Sequence, residues 1–333
     1  PVEQKSDKQN ERPRIMNNDA PSHAPVYPSS TEEWLNASDG HQIPLRCWLI
    51  ERPRAIVQIV HGMSEHSGCY ADVALELNKN GLSVVAHDHR CHGRSVTQTD
   101  LGNTSTLQHW AGVRQDMAAV NAELHRRFPS LPLIVLGHSM GSFIAQDFAQ
   151  HHPDQLNVLL LEGSNFEAPW FTTTASWLAG FEIWRQGENG RSPLIHALSF
   201  GAFNKTIRNP RTAFDWLSRE NIFVDRYLAD PLCGFQLSNN YWRDFLKGLA
   251  ALYRPDNIQR MRSDLPVYLL AGDKDAVGHM GKGVEKLAHA FKNAGMRDVT
   301  LRLYPDARHD LLHETNREEV LQDILNWLKR HLG

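Results

Sequence analysis

Ser139 stands in the run Gly137-His138-Ser139-Met140-Gly141. A serine hydroxyl is a weak nucleophile at neutral pH. It becomes a strong one when a base takes its proton and an acid orients that base. The glycine-serine string is weak support by itself, and its flanks make it specific. Residues 133–136 are an apolar run that reads as a strand entering the turn, and residues 142–150 read as a helix leaving it. So sharp a strand-to-helix turn pushes the serine into unfavourable backbone space, at a cost of ~1–3 kcal/mol. Gly137 and Gly141 spare the turn two side chains that would collide across it. The helix that follows points its free N–H groups at the reacting centre.

In such an arrangement the acid and base come later, in the order Ser, Asp, His, at strand ends. Two segments qualify. One is Gly272-Asp273-Lys274-Asp275, after a strand over 267–271; the other is Pro305-Asp306-Ala307-Arg308-His309, after a strand over 299–304. Asp275 is the better acid, because the turn needs a few residues to aim a carboxylate back at the histidine; Asp273 is its competitor. His309 is the better base because it lies nearer its strand end than His313. An acyl-transfer site also needs two backbone donors for the oxyanion. Met140, next to the nucleophile, supplies one. Met63, in the His61-Gly62-Met63 loop after a strand over 55–60, supplies the other.

Eighteen histidines raise the question of a metal. The densest runs are His61/His66 and His87-Asp88-His89-Arg90-Cys91-His92. In extended chain His87 and His89 share a face with Asp88 opposed. No H-E-x-x-H or comparable ligand set completes a site, so a hydrogen-bonded loop beside the reacting centre is expected, with no metal. No G-x-G-x-x-G opens a helix, and no cofactor is expected.

The elements that must position these groups follow from the apolar pattern. Short apolar runs at 43–50, 55–60, 82–86, 133–136, 158–161, 267–271 and 299–304 read as strands. Residues 70–80, 113–128, 140–151, 283–294 and 317–331 read as helices. Strands alternating with longer helices specify an α/β fold, a mainly parallel sheet covered on both faces. The alternation breaks over 164–262, an aromatic-rich and mostly helical stretch between two strands. It reads as a lid inserted over the strand ends, where ligands bind in open α/β sheets. Within it Trp170, Trp177, Phe181 and Trp184 fall at helical spacings. Two compatible readings follow: a helix packed on the rest of the lid, and an apolar rim that admits acyl chains and touches a micelle or membrane. The core then comprises 34–163 and 263–333. Residues 1–33, with five prolines and few large apolar side chains, read as a flexible arm.

Composition sets the outer limits. The 333 residues carry 35 Lys and Arg against 38 Asp and Glu, a net charge of −3. Nothing so near neutral calls for nucleic acid as a partner. The four cysteines, Cys47, Cys69, Cys91 and Cys233, have neither C-x-x-C spacing nor the density of a disulfide scaffold. Neither a signal peptide nor a membrane-length apolar run is present, so a cytoplasmic protein is expected. The oligomeric state is left open.

The series His61-Gly62-Met63-Ser64-Glu65-His66-Ser67-Gly68, then Ala86-His87-Asp88-His89 with His92-Gly93-Arg94-Ser95, then Gly137–Gly141, resembles the monoacylglycerol lipase and lysophospholipase branch of the α/β-hydrolases. Tyr227–Leu232, Gly272–Asp275 and His309 fit the same branch, so the resemblance covers about residues 34–332. It implies an α/β-hydrolase fold, Asp275 as the acid, Met63 and Met140 as oxyanion donors, and Glu65 lining an alcohol pocket. Where that branch in animals carries an arginine four residues after this glutamate, the chain has Cys69. The expectation is a serine ester hydrolase for monoacylglycerol- or lysophospholipid-like substrates. The alternatives are a short-acyl carboxylesterase, a peptidase, amidase or thioesterase on the same scaffold, and a catalytically silent binding protein.

Overall fold

Runs of five to seven residues, apolar at their centres, become the strands of one sheet. The computed structural model describes residues 27–28, 30–104 and 109–332. Among these the strands are β1 (Thr31–Asn36), β2 (Gln42–Trp48), β3 (Ala55–Val60), β4 (Leu82–His87), β5 (Leu133–His138), β6 (Val158–Glu162), β7 (Val267–Gly272) and β8 (Val299–Tyr304). Their spatial order is β1-β2-β4-β3-β5-β6-β7-β8. β1 and β2 pair antiparallel, as do β2 and β4, and every other pair is parallel.

Every residue of β3, β4, β5, β6 and β7 is buried, because helices cover both faces. Successive side chains of a strand point opposite ways. In β3, Val57 and Ile59 pack on the face covered by α1 (Ala71–Lys79) and α11 (Arg317–Leu332). Ile56 and Val60 pack on the other face, under α2 (His109–Arg127), α3 (Met140–His151) and α10 (Lys282–Asn293). Burying each such branched side chain is worth about 1.5–3 kcal/mol, so the central strands are the rigid part of the fold. β8, at the edge, is half-exposed and places Arg302 on Glu319 and Asp323 of α11.

β1 corrects the sequence reading, which assigned residues up to 33 to an arm. Thr31–Glu33 belong to the sheet, paired with Leu45–Cys47. β1 is an outer edge strand that half-buries only Glu33 and Leu35, so no apolar run marks it. The rest of the proposed arm lies outside the described residues, apart from Tyr27, Pro28 and Ser30. α2 starts at or before His109, four residues ahead of the expected start.

Between β6 and β7 the chain runs through α4 (Pro169–Gln186), α5 (Pro193–Leu198), α6 (Phe200–Phe203), α7 (Asn221–Ala229), α8 (Asn239–Leu252) and α9 (Pro255–Ile258). α4 packs along α8, and α8 also contacts α2 and α3. α4 is turned inside out relative to an ordinary surface helix. Its buried side is Thr172, Ser176, Ala179 and Glu182. Trp170, Trp177 and Trp184 are 72%, 72% and 79% exposed, with Phe171 and Phe181 about half exposed. The helix thus packs on the rest of the lid, as expected, but through its polar side, and the aromatic row itself is left facing outward. No helix among the described residues is long and apolar enough to cross a membrane.

Candidate active site

Ser139 sits between the end of β5 and the first residue of α3 with φ 50° and ψ −120°. A non-glycine residue in that region is strained. The surroundings hold it there: its N–H donates to the Glu162 carbonyl at 2.9 Å, and its carbonyl accepts from Ser142 N–H at 2.9 Å. Gly141 is required by close approach, since a Cβ there would lie 1.9 Å from the Val60 carbonyl oxygen. α3 therefore packs hard against the end of β3, and the loop after β3 is drawn to the serine. A Cβ on Gly62 would meet Glu65 Oε1 at 2.8 Å and Ser139 Cβ at 3.3 Å. The His61–Met63 segment thus lies against the nucleophile turn. Met140 opens α3, so its N–H is among the donors that a helix leaves free at its start.

His309 and Asp275 meet from two different strand ends. His309 Nδ1 lies 3.0 Å from Asp275 Oδ1, with both side chains almost wholly buried. Asp275 Oδ1 also accepts from Val277 N–H at 2.8 Å. His309 Nε2 makes no hydrogen bond among the described residues. Its ring is bordered by His138 (centroids 5.0 Å apart) and Trp216 (5.3 Å). The competitors go elsewhere. Asp273 is partly exposed, accepts from Asp306 N–H at 2.8 Å and pairs with Lys274. His313 Nδ1 rests on Asp310 at 2.9 Å, and its Nε2 faces the Cys69 carbonyl at 3.0 Å.

Several supporting residues escaped the sequence reading. His138 Nδ1 is hydrogen-bonded to Glu162, which ends β6. Glu162 Oε1 in turn accepts from Leu311 N–H at 2.8 Å, so one buried carboxylate bridges the nucleophile turn and the histidine loop. Burial works against a charge on His138, but Glu162 and Asp310 outweigh it and push its pKa up to about 10. The available signal was a carboxylate closing the apolar run 158–161. From the inserted helical stretch, Leu217 O accepts from Asp310 N–H at 2.8 Å, and Arg308 donates to Asp215 O and Ser218 O. Arg219 pairs with the buried Glu314 at 3.0 Å. The insertion therefore braces the histidine loop directly.

Glu65 is buried beside the Ser139 turn, accepting from Tyr70 OH at 2.6 Å and from Gly62 N–H. Burial pushes its pKa up to about 7. Donor atoms of Glu65, His138 and Asp310 lie within 4.8 Å of one another. Each is already engaged, by Tyr70, Glu162 and His313 respectively.

The other histidines form a buried stack behind the His61–Met63 loop. His61 and His89 rings lie 4.0 Å apart, His87 and His89 4.9 Å, and His61 and His92 5.4 Å. Asp88 faces the opposite way, to Ser67 and Arg94. The expected hydrogen bonding is only partly realised. His89 N–H donates to His61 Nε2 at 3.0 Å, yet neither ring nitrogen of His87 finds a partner among the described residues. Burial lowers the pKa of His87 and His92 to about 4 and of His109 to about 3. These rings stay neutral in the folded chain and take protons near pH 6.5 once it unfolds. Their contribution is complete above that pH and declines as pH falls towards 4, by up to about 4 kcal/mol per pH unit for the three. His138 has the opposite sign: its contribution is whole below pH 6.5 and is lost as pH rises through 10. Thermal melts across this range should therefore peak near neutral pH and drop steeply between pH 6.5 and 4. A flat melting temperature over that acid window would refute the account.

The chain matches known proteins over most of its length. Residues 51–316 match the profile of the family described as serine aminopeptidase, S33. A monoacylglycerol lipase of Mycolicibacterium smegmatis is 27% identical over 282 residues, covering 84% of this chain and 90% of that protein. The monoglyceride lipase of Homo sapiens is 28% identical over 307 residues, covering 88% of each. Among solved structures, a thermostable carboxyl esterase from Bacillus coagulans in complex with glycerol superposes with a TM-score of 0.83 at 25% identity, covering 91% of this chain and 99% of that one.

Proposed function

The chain belongs to the serine aminopeptidase S33 family of α/β-hydrolases, and on that premise we propose that this serine hydrolase cleaves carboxylic esters of the monoacylglycerol or lysophospholipid type. Ser139 Oγ attacks the ester carbonyl, and His309 Nε2 takes the proton and returns it to the leaving alcohol. Asp275 holds the His309 tautomer through Nδ1 and stabilises its charged form. The N–H groups of Met63 and Met140 receive the oxyanion. Water, activated by the same histidine, then releases the acid. The observation that carries this reading is the strained Ser139 at the β5–α3 turn, in a site where buried His309 rests on Asp275 at 3.0 Å. Glu65 and Tyr70 line the alcohol side, next to Gly62. The names of the relatives and the glycerol in the esterase complex support the choice of a glyceride-like alcohol.

The outward aromatic face of α4 supports a greasy acyl group and a lipid surface as the place where substrate is met. Replacing Trp170, Trp177 and Trp184 together with serine should weaken sedimentation with phospholipid vesicles and slow turnover of vesicle-borne ester. Turnover of a soluble short-chain ester should not change. Equal vesicle binding by the variant would remove the docking role.

The substrate is tested by turnover across acyl chains from acetyl to palmitoyl, with monoacylglycerol, lysophospholipid and an aminoacyl amide alongside. A maximum on long-chain monoacylglycerol or lysophospholipid supports the proposal. A maximum at acetyl or butyryl esters, with no glyceride turnover, replaces it with a short-acyl carboxylesterase. Preference for the aminoacyl amide replaces it with a peptidase.

A further inference from the structure

Away from the reacting serine, the fold brings two cysteines together that lie 164 positions apart in the chain. Cys69 lies in the short turn Ser67–Tyr70, just after the oxyanion loop. Cys233 lies in the inserted stretch, between α7 and α8. Their sulfurs are 3.7 Å apart. The seam between the two segments is already laced. Gly234 N–H and Tyr227 OH both donate to Ser64 O at 2.9 Å, and Ser64 OH donates to Phe235 O at 2.8 Å. The hydrolytic steps above use neither thiol.

The two sulfurs are not equivalent. His66 lies beside Cys69, with its Nδ1 accepting from Gly68 N–H at 3.1 Å and its Nε2 on Asp230 Oδ2 at 3.0 Å. Tyr27 OH donates to the same Asp230 oxygen at 2.6 Å. Donor atoms of His66, Cys69 and Cys233 lie within 4.8 Å of one another. Both imidazole nitrogens are occupied, however, so His66 is not free to act as a third metal ligand. The hydrogen bond with Cys233, reinforced against burial by His66, keeps the Cys69 thiol well below the ordinary range. Burial, followed by the bond to Cys69, pushes Cys233 up. The bond between the two sulfurs favours the thiolate at Cys69 and the thiol at Cys233, and at 3.7 Å the second sulfur is already within reach of the first. The remaining cysteines lack such a bias toward the thiolate: burial pushes both Cys47 and Cys91 up to about 12.

We propose that Cys69 and Cys233 form a redox-modification site, in which a hydroperoxide oxidises Cys69 and Cys233 then closes a reversible disulfide between the oxyanion-loop side of the core and the inserted helices. Cys69 Sγ attacks the terminal peroxide oxygen. The O–O bond breaks, Cys69 becomes a sulfenic acid, and the leaving oxygen takes a proton and departs as an alcohol, or as water from hydrogen peroxide. Cys233 Sγ then attacks the Cys69 sulfur. The S–S bond forms, the S–O bond breaks, and the hydroxyl leaves with the Cys233 proton as water. Two thiols lose two electrons, and the peroxide gains them. The site does not depend on which ester the enzyme cleaves.

The test is peptide mass spectrometry of the reduced full chain after stoichiometric hydrogen peroxide. The expected product is a linked Cys69–Cys233 peptide lighter by two hydrogens, reversed by dithiothreitol, with Cys47 and Cys91 still free to be alkylated after denaturation. Cys233→Ser should stop at a Cys69 sulfenic acid that dimedone traps. If Cys233→Ser fails to fold, timed alkylation of the wild-type chain decides. Joint loss of Cys69 and Cys233 ahead of Cys47 and Cys91 supports the site. Loss of all four at one rate, or a Cys69 still free after peroxide, overturns it.

Discussion

Ser139→Ala should lower turnover by roughly a million-fold, the loss seen when an activated serine is removed from a working triad. The size follows from chemistry that no neighbour can replace. Without the Ser139 hydroxyl the His309–Asp275 pair has no nucleophile to activate, and the oxyanion donors alone leave only a small residual rate. Alanine keeps the Cβ and hence the strain at φ 50°, so the variant should fold with near wild-type stability. Ser139→Gly should be equally inactive but more stable, by ~1–3 kcal/mol, because glycine relieves the backbone strain. Turnover on the best ester, fluorophosphonate labelling and a thermal melt check all three statements. Labelling that persists in Ser139→Ala would move the nucleophile elsewhere.

Asp275→Asn should cost about ten-thousand-fold in kcat, while Asp273→Asn should leave kcat nearly unchanged. The amide at 275 would offer His309 Nδ1 an N–H where it now meets a carboxylate oxygen at 3.0 Å. That favours the wrong tautomer and withdraws the charge that stabilises the imidazolium. Asp273 instead accepts from Asp306 N–H and pairs with Lys274 at the surface, so its loss is a small change in a solvated turn. The decisive measurement is kcat for the two variants on one soluble ester, each with a melt to exclude unfolding. If Asp273→Asn were the inactive one, Asp273 and not Asp275 would be the acid.

Much of this arrangement is written locally. A strand, a sharp turn flanked by glycines and a helix occupy the nineteen consecutive residues Leu133–His151, and steric exclusion in that stretch places Ser139. The order of acid and base after it is equally local, because each follows a short run that reads as a strand. The mainly parallel sheet follows from the same runs. Even the choice of Asp275 over Asp273 could be argued from the length of one turn, although the contact with His309 is what distinguishes them physically. The edge strand β1 was not legible, since a strand with one neighbour and a wet face needs no apolar run.

Only the tertiary structure decided the remainder, because it depends on which distant surfaces meet. The periodicity of α4 placed Trp170, Trp177 and Trp184 on one face. It could not say that the opposite, polar face would find α8, leaving the aromatics in solvent. Glu162 looks like the polar end of a strand until its carboxylate is seen joining His138 to the loop of His309. Cys69 and Cys233 are two unremarkable thiols in the sequence, and they become a pair only because the insertion folds back onto the loop after Met63. A sequence determines directly what sterics and solvation settle within a few residues. Contacts across 24, 149 or 164 positions arise from the packing of whole elements, whose relative placement no local pattern carries.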